Sequence, residues 1–238
     1  MIGITICAMQ LVAVLLGFQG LRYILTPLAQ AQEATADRTL GVWIGSPWDT
    51  GEPVICIDAG HGGKDNGSNS GKRMEKDDNL RIAKAVADYL KEQGAGVVMT
   101  RTKDVFLELS ERCEIANERQ ADYFVSLHRN DGNGSGVEVW VYSGAQEETV
   151  GLAKRILTGL DMAGIQQNRG VRGGTQGDSD ENYYVNSHTD MPSCIVELGF
   201  IGNTRDNELF DEKLKEYAAA IGDAILETYE AEQKEEEN

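Results

Sequence analysis

Four residues of this chain have the types and settings for chemistry: His61, Glu75, His128 and Glu197. His61 lies in Asp58-Ala-Gly-His-Gly-Gly63, directly after the apolar run Val54-Ile-Cys-Ile57, with glycine on both sides. His128 follows Tyr123-Phe-Val-Ser-Leu127, and Glu197 follows Cys194-Ile-Val196. Glu75 falls just before a stretch with helical spacing. Two neutral imidazoles and a carboxylate are a donor set that a catalytic zinc takes from protein, leaving its fourth position to water. Zinc lowers the pKa of that water towards neutrality, and a carboxylate outside the ligand set can then accept its proton.

Each residue also has a plainer reading. His61 could be an incidental histidine in a glycine turn, and His128 could bond backbone at the edge of the core. Glu75 could be an acid that complements the positive end of a helix dipole. Glu197 resists such a reading best, because a carboxylate emerging from three apolar residues needs a partner. The gaps between the four are long, so spacing alone does not decide among these readings.

Bringing such distant residues together requires a sheet. Short apolar runs near 54–57, 97–100, 123–127 and 194–197 read as buried strands. The alternation over 137–142 predicts an edge or half-exposed strand. Helical spacing predicts helices over 78–93, 107–119, 147–163 and 206–229. The first presents Leu80, Ala83, Val86, Ala87 and Leu90 on one face and stops at Gly94; the second is expected to be capped by Ser110. Residues 64–72 read as a loop, and 166–190, rich in Gly, Asn and Asp, show little regular pattern. Strands alternating with helices make the class α/β. In open α/β sheets ligands gather beyond the carboxyl ends of strands, where His61, His128 and Glu197 would stand.

Composition narrows the partners. The 238 residues carry 22 Lys+Arg against 39 Asp+Glu, a net charge of -17, which argues against nucleic acid and against docking on anionic membrane surfaces. Residues 227–238 hold six Glu and one Lys, and 230–238 read as a disordered acidic tail. None of the four cysteines forms a C-x-x-C pair; Cys56 and Cys194 read as small core residues. Residues 2–18 carry no charge, and Ala29-Gln-Ala31 fits a cleavage site. The expectation is a signal peptide over 1–31 or a membrane anchor through 2–24, then a linker over 32–52 and one compact domain over 53–229. Export to the extracellular side follows, with tethering to the cytoplasmic membrane if the segment is retained. No feature specifies an oligomer, and a monomer is expected.

The domain resembles the zinc-dependent N-acetylmuramoyl-L-alanine amidases that cleave peptidoglycan. The resemblance runs from Asp58-Ala-Gly-His-Gly-Gly63 through Glu75-Lys-Asp-Asp-Asn-Leu80, Thr100-Arg101 with Asp104, and Arg112 with Ala116-Asn117. It continues with Ser126-Leu-His-Arg-Asn130, Gly136-Val-Glu138 and Pro192-Ser-Cys-Ile-Val-Glu-Leu-Gly-Phe200 with Asn203. It implies a twisted, mostly parallel mixed sheet with helices on both faces and one zinc at its edge. By position, His61, Glu75 and His128 would be the ligands and Glu197 the catalytic base. The implied reaction is attack of zinc-activated water on the amide joining the lactyl group of N-acetylmuramic acid to L-alanine.

Three further residues are expected near substrate. Asn130 would orient it by hydrogen bonds or serve a turn, and Glu138 would lie behind the metal or on the substrate side. Arg129 stands where these enzymes often carry a small or apolar residue; it reads as a contact to a stem-peptide carboxylate or as a side chain in solvent. His188 would line the groove or sit on a surface loop, and Asp58 would form a turn or support the metal. The stretch 166–190 is too short for an added regulatory helix, which predicts an accessible site. Two alternatives stay open: a catalytically silent peptidoglycan-binding or regulatory module on the same fold, and a zinc peptidase acting within the stem peptide. Cell separation, wall turnover and spore-cortex processing are equally compatible roles.

Overall fold

The run Val54-Ile-Cys-Ile-Asp-Ala59 forms β1, and its alternation decides which side of the sheet does what. In the computed structural model, which describes residues 52–236, β1 (Val54–Ala59) is flanked by β4 (Gly96–Met99) and β5 (Tyr123–Asn130). Beyond β5 come β8 (Ser193–Phe200), β6 (Val137–Val141) and β7 (Asn168–Gly173), giving the order β4-β1-β5-β8-β6-β7. The pairs from β4 to β8 are parallel, β6 runs antiparallel to β8, and β7 is parallel to β6. The short strands β2 (Asn69–Ser70) and β3 (Arg73–Met74) form a separate hairpin in the loop after β1.

Successive strand residues point to opposite faces. Ile55, Ile57, Val125, Leu127, Val139 and Val196 pack against α1 (Glu75–Glu92), α3 (Glu147–Ala163) and α6 (Leu214–Glu236). The other parity, with Cys56, Phe124, Trp140 and Ile195, packs against α2 (Leu109–Glu118) and α4 (Tyr184–His188). Asp58, Ser126, His128, Glu138 and Glu197 continue this second set. The α2–α4 face therefore turns from apolar to polar towards the carboxyl ends of the parallel strands, and there the cleft opens. Cys56, Cys113 and Cys194 are buried and free.

The α/β class and the mixed sheet with helices on both faces are as expected, but several boundaries differ. The first helix begins at Glu75, not 78, with Glu75, Asp77 and Asp78 in its first turn, where acids complement the dipole. The second is capped by Glu108 in a capping box with Glu111; Ser110 lies inside the helix. β6 is buried throughout and sits between β8 and β7, so it is no edge strand. The stretch 166–190 contains β7 and α4. β7, with Val171 as its one large apolar residue, is the edge strand at this end of the sheet, and β4 is the other edge. The predicted helix over 206–229 is two helices, α5 (Thr204–Glu212), capped by Asn203, and α6. α6 continues through Glu236, so 230–236 are helical; Glu232 accepts a hydrogen bond from the buried Tyr123 hydroxyl of β5. The signal-peptide, anchor and linker expectations lie outside the described residues, apart from Glu52 at the linker's end. Among the described residues no helix is long and apolar enough to cross a membrane.

Asp58 ties the site end of the sheet together. Its carboxylate, 1% exposed, accepts from Thr100 Oγ1 (2.6 Å), Ser126 Oγ (2.6 Å) and Arg112 Nη1 (2.7 Å). Arg112 in turn donates to the carbonyls of Ala59 and His61, fixing the chain as it leaves β1. Burial alone would raise the Asp58 carboxyl, but Arg112, Ser126 and Thr100 outweigh it and hold it below the usual range. Asp58→Ala leaves Arg112 buried and unpaired, which should cost about 3–5 kcal/mol in urea unfolding at neutral pH. Because the folded pKa lies below the unfolded one, the contribution is complete above the unfolded value. The gap between wild type and variant should shrink as pH falls below the ordinary carboxylate range.

Candidate functional site

After β1 the chain turns sharply: His61 has φ 58°, a left-handed conformation that a residue other than glycine rarely adopts. That strain turns the imidazole over the sheet edge towards His128. Two glycines make the approach possible. A Cβ on Gly60 would lie 2.1 Å from His128 Nε2, and one on Gly67 would lie 2.5 Å from both Glu75 Oε2 and His61 Cδ2.

The three predicted ligands converge. Glu75 Oε1 lies 3.2 Å from His61 Nε2 and 2.9 Å from His128 Nδ1, and the rings of His61 and His128 meet edge-on with centroids 4.9 Å apart. Their ligand atoms all fall within 4.8 Å of one another. A metal with bonds of about 2.0–2.2 Å to nitrogen and oxygen can span that set with little adjustment. His61 Nδ1 is 2.7 Å from Asp65 Oδ2, a contact that fixes the ring and leaves Nε2 facing Glu75. Such a carboxylate behind a ligating histidine orients it and raises its basicity. Glu75, 3% exposed, also accepts from the backbone N–H groups of Ser68 (2.8 Å) and Arg129 (3.2 Å) and from Asn79 Nδ2 (3.2 Å).

The charges are strongly coupled. Burial would lower the His61 pKa, but the carboxylates of Glu75 and Asp65 override it and push it up to about 9. Burial would raise Glu75, yet His128 and His61 hold it well below the usual carboxylate range. A cation entering this cluster therefore displaces protons, which couples its binding to pH.

Glu197 stands across from the cluster. On β8 it is the register partner of His128 on β5 and of Glu138 on β6. Its Oε2 is covered and has no hydrogen-bond partner in the protein. Burial chiefly, with the negative charges of Glu75 and Glu138, pushes its carboxyl up to about 7 against the pull of His128 and His61. A carboxyl in that range can accept a proton near neutral pH. The four residues line a cleft of about 520 Å³, whose other lining residues include Phe106, Leu107 and Leu109 and Tyr183, Tyr184 and Val185.

The other expected residues are placed differently. Arg129 is 1% exposed, and its guanidinium is committed to Asp78 Oδ2, Asn207 Oδ1 and the carbonyls of Gly199 and Phe200. This corrects both readings of it, since it reaches neither a substrate carboxylate nor solvent. The pleat is the reason: if His128 faces the cleft, its neighbour faces the opposite layer. Asn130 is buried and donates to Glu138 Oε1 at 2.7 Å. Glu138 also accepts from Trp140 Nε1, Arg169 Nε and Arg172 Nε, so its carboxylate lies saturated behind the cleft. His188 stacks on Tyr184 at the surface, and Asp58 braces strands rather than forming a turn. Sequence reasoning missed Asp65 and Asn79. Asp65 lies four residues after His61 in the same glycine-rich loop, and Asn79 shares a helix face with Glu75 once the helix is known to start there.

A family model described as N-acetylmuramoyl-L-alanine amidase matches residues 55–227. The chain belongs to the N-acetylmuramoyl-L-alanine amidase family. Among relatives of this amidase-family chain is the uncharacterized protein YqiI of Bacillus subtilis, 37% identical over 210 residues, covering 87% of this chain and 90% of YqiI. CwlM of Bacillus licheniformis, an N-acetylmuramoyl-L-alanine amidase, is 35% identical over 156 residues, covering 65% of this chain and 59% of CwlM. The amidase-family fold is shared with the crystal structure of an N-acetylmuramoyl-L-alanine amidase from Clostridium difficile 630. That match has a TM-score of 0.69 and 29% identity, covering 76% of this chain and 98% of the other.

The Asp65 contact makes a checkable claim. Asp65→Ala should weaken divalent-metal binding about 10–100-fold, read by chelator competition, with an unchanged circular dichroism spectrum.

Proposed function

We propose that this domain is a zinc-dependent N-acetylmuramoyl-L-alanine amidase. It hydrolyses the amide between the lactyl group of N-acetylmuramic acid and the L-alanine of the stem peptide in peptidoglycan. The observation that carries the reading is the facing of the His61–Glu75–His128 cluster by Glu197, whose Oε2 is buried without a partner. The nitrogen–oxygen donor set and its spacing suit zinc. When bound, zinc supplies Lewis acidity to the amide carbonyl and acidity to a water in its open position.

The protein's own residues do the rest. Glu197 accepts the proton of the attacking water and returns it to the departing amine of L-alanine, so the group ends as it began. The stem peptide lies against the apolar walls of Phe106 and Tyr183. Asn130 shapes the floor, held by Glu138, so its part in recognition is positional. Asp65 and Asn79 keep His61 and Glu75 oriented. The chain works as an exported monomer on the cell-wall side, with residues 1–31 as a signal peptide or 2–24 as a membrane anchor.

A silent wall-binding module would have no use for a base held near neutrality. Digestion of purified muropeptides should release stem peptides with a free N-terminal L-alanine, and a chelator should abolish the release. Glu197→Gln should keep its metal and lose about 10²–10⁴-fold in rate. Intact muropeptides at full metal occupancy would favour the silent module, and cleavage within the stem would favour a peptidase.

A further inference from the structure

Arg129 is among the largest fully buried side chains of the described residues, and it stands next to the ligand His128. Its parity sends it away from the cleft, into the layer of α1 and α5. There it touches α1 and β8, the elements that carry Glu75 and Glu197. Its backbone N–H donates to Glu75 Oε1 (3.2 Å), and its Nη1 donates to Asp78 Oδ2 (2.6 Å), one turn further along α1. Its Nε donates to the carbonyl of Gly199 (3.3 Å), two residues past Glu197 on β8. Its Nη2 donates to Asn207 Oδ1 (2.6 Å) on α5, and its Cζ lies 4.5 Å from the centre of the Phe210 ring.

We propose that Arg129 is a positioning residue for the metal centre. The ion pair with Asp78 fixes how far α1, and with it Glu75, stands from His128, while the bond to Gly199 fixes the Glu197 strand against both. The inference rests on the reading that His61, Glu75 and His128 hold the metal. Tolerances support it. Metal–ligand distances hold to about 0.2 Å, whereas one carbon–carbon bond added to either partner of the pair is about 1.5 Å. A buried pair is therefore a spacer whose length the site can feel. Arg81, half-exposed, and Arg73 also meet Asp78 but sit on or before α1 itself, so they cannot set its distance from β5.

The spacer can be tested by changing its length without removing its charges. Asp78→Glu lengthens one arm by a methylene, and Arg129→Lys shortens the other by one atom; the double variant restores the summed length. Zinc affinity of the full chain, by chelator competition, and the visible spectrum of its cobalt(II) form should be measured alongside urea stability. Each single variant should bind zinc at least tenfold more weakly with an altered cobalt spectrum, and the double variant should regain most of both. Asn207→Ala removes a guanidinium partner without touching α1; it should lose stability but bind zinc within twofold of wild type. Single variants that bind like wild type would overturn the inference, as would a double variant as weak as its two losses combined. Wild-type protein that binds no zinc would instead overturn the metal reading, and this inference with it.

Discussion

Glu75 is a carboxylate kept charged where little water reaches it, and much of the site follows from what that requires. Moving an ion of this size out of water costs several kcal/mol even after relaxation, unless donors replace the lost hydration. Here the donors come from three separate stretches: His61 and Ser68 in the loop after β1, Asn79 on α1, and the His128 imidazole with the Arg129 backbone on β5. The carboxylate also opens α1, so the helix dipole adds a favourable field. No short motif could supply such a set. The long separations among His61, Glu75 and His128 express that geometry, since the three arrive on a loop, a helix and a strand.

The sheet converts this local demand into a site. Its parallel strands bring His61, His128 and Glu197 to one edge, and pleat parity sends Asp58, Ser126, His128 and Glu197 to one face. Beneath them, Asp58 and Arg112 form an ion pair that clamps the start of the His61 loop. The two sides of the sheet divide the labour: one holds the apolar core with α1, α3 and α6, and the other opens into the cleft. Arg129 bridges that division, because its main chain belongs to the cleft edge and its side chain to the opposite layer.

Much of this was legible in the sequence for a physical reason. Buried strands ending in polar residues are conspicuous, so His61, His128, Glu197 and the α/β alternation could be read directly. Glu75 needed the family's ordered motifs, since an acid at a helix start is otherwise explained by the dipole. β7 was missed because Asn168-Arg-Gly-Val-Arg-Gly173 borrows its order from pairing with β6 and has little apolar signal of its own. β6 was misjudged as half-exposed because Glu138 looks like a solvent-facing residue when its partners Asn130, Arg169 and Arg172 are unknown. Arg129 was misread for want of parity: once His128 faces the cleft, a strand cannot also send its next residue there. Helix limits shifted where capping came from Glu108 rather than Ser110, a difference of local hydrogen bonding.

On the proposed reading, His61, Glu75 and His128 form one metal site and Glu197 stays outside it as the base. Anomalous diffraction at the zinc absorption edge, on crystals grown with zinc, tests that division of roles most directly. One strong peak per chain is expected, with His61, Glu75 and His128 at bonding distance of about 2.0–2.2 Å and Glu197 beyond it. A peak elsewhere, no peak at this cluster, or direct coordination by Glu197 would contradict it.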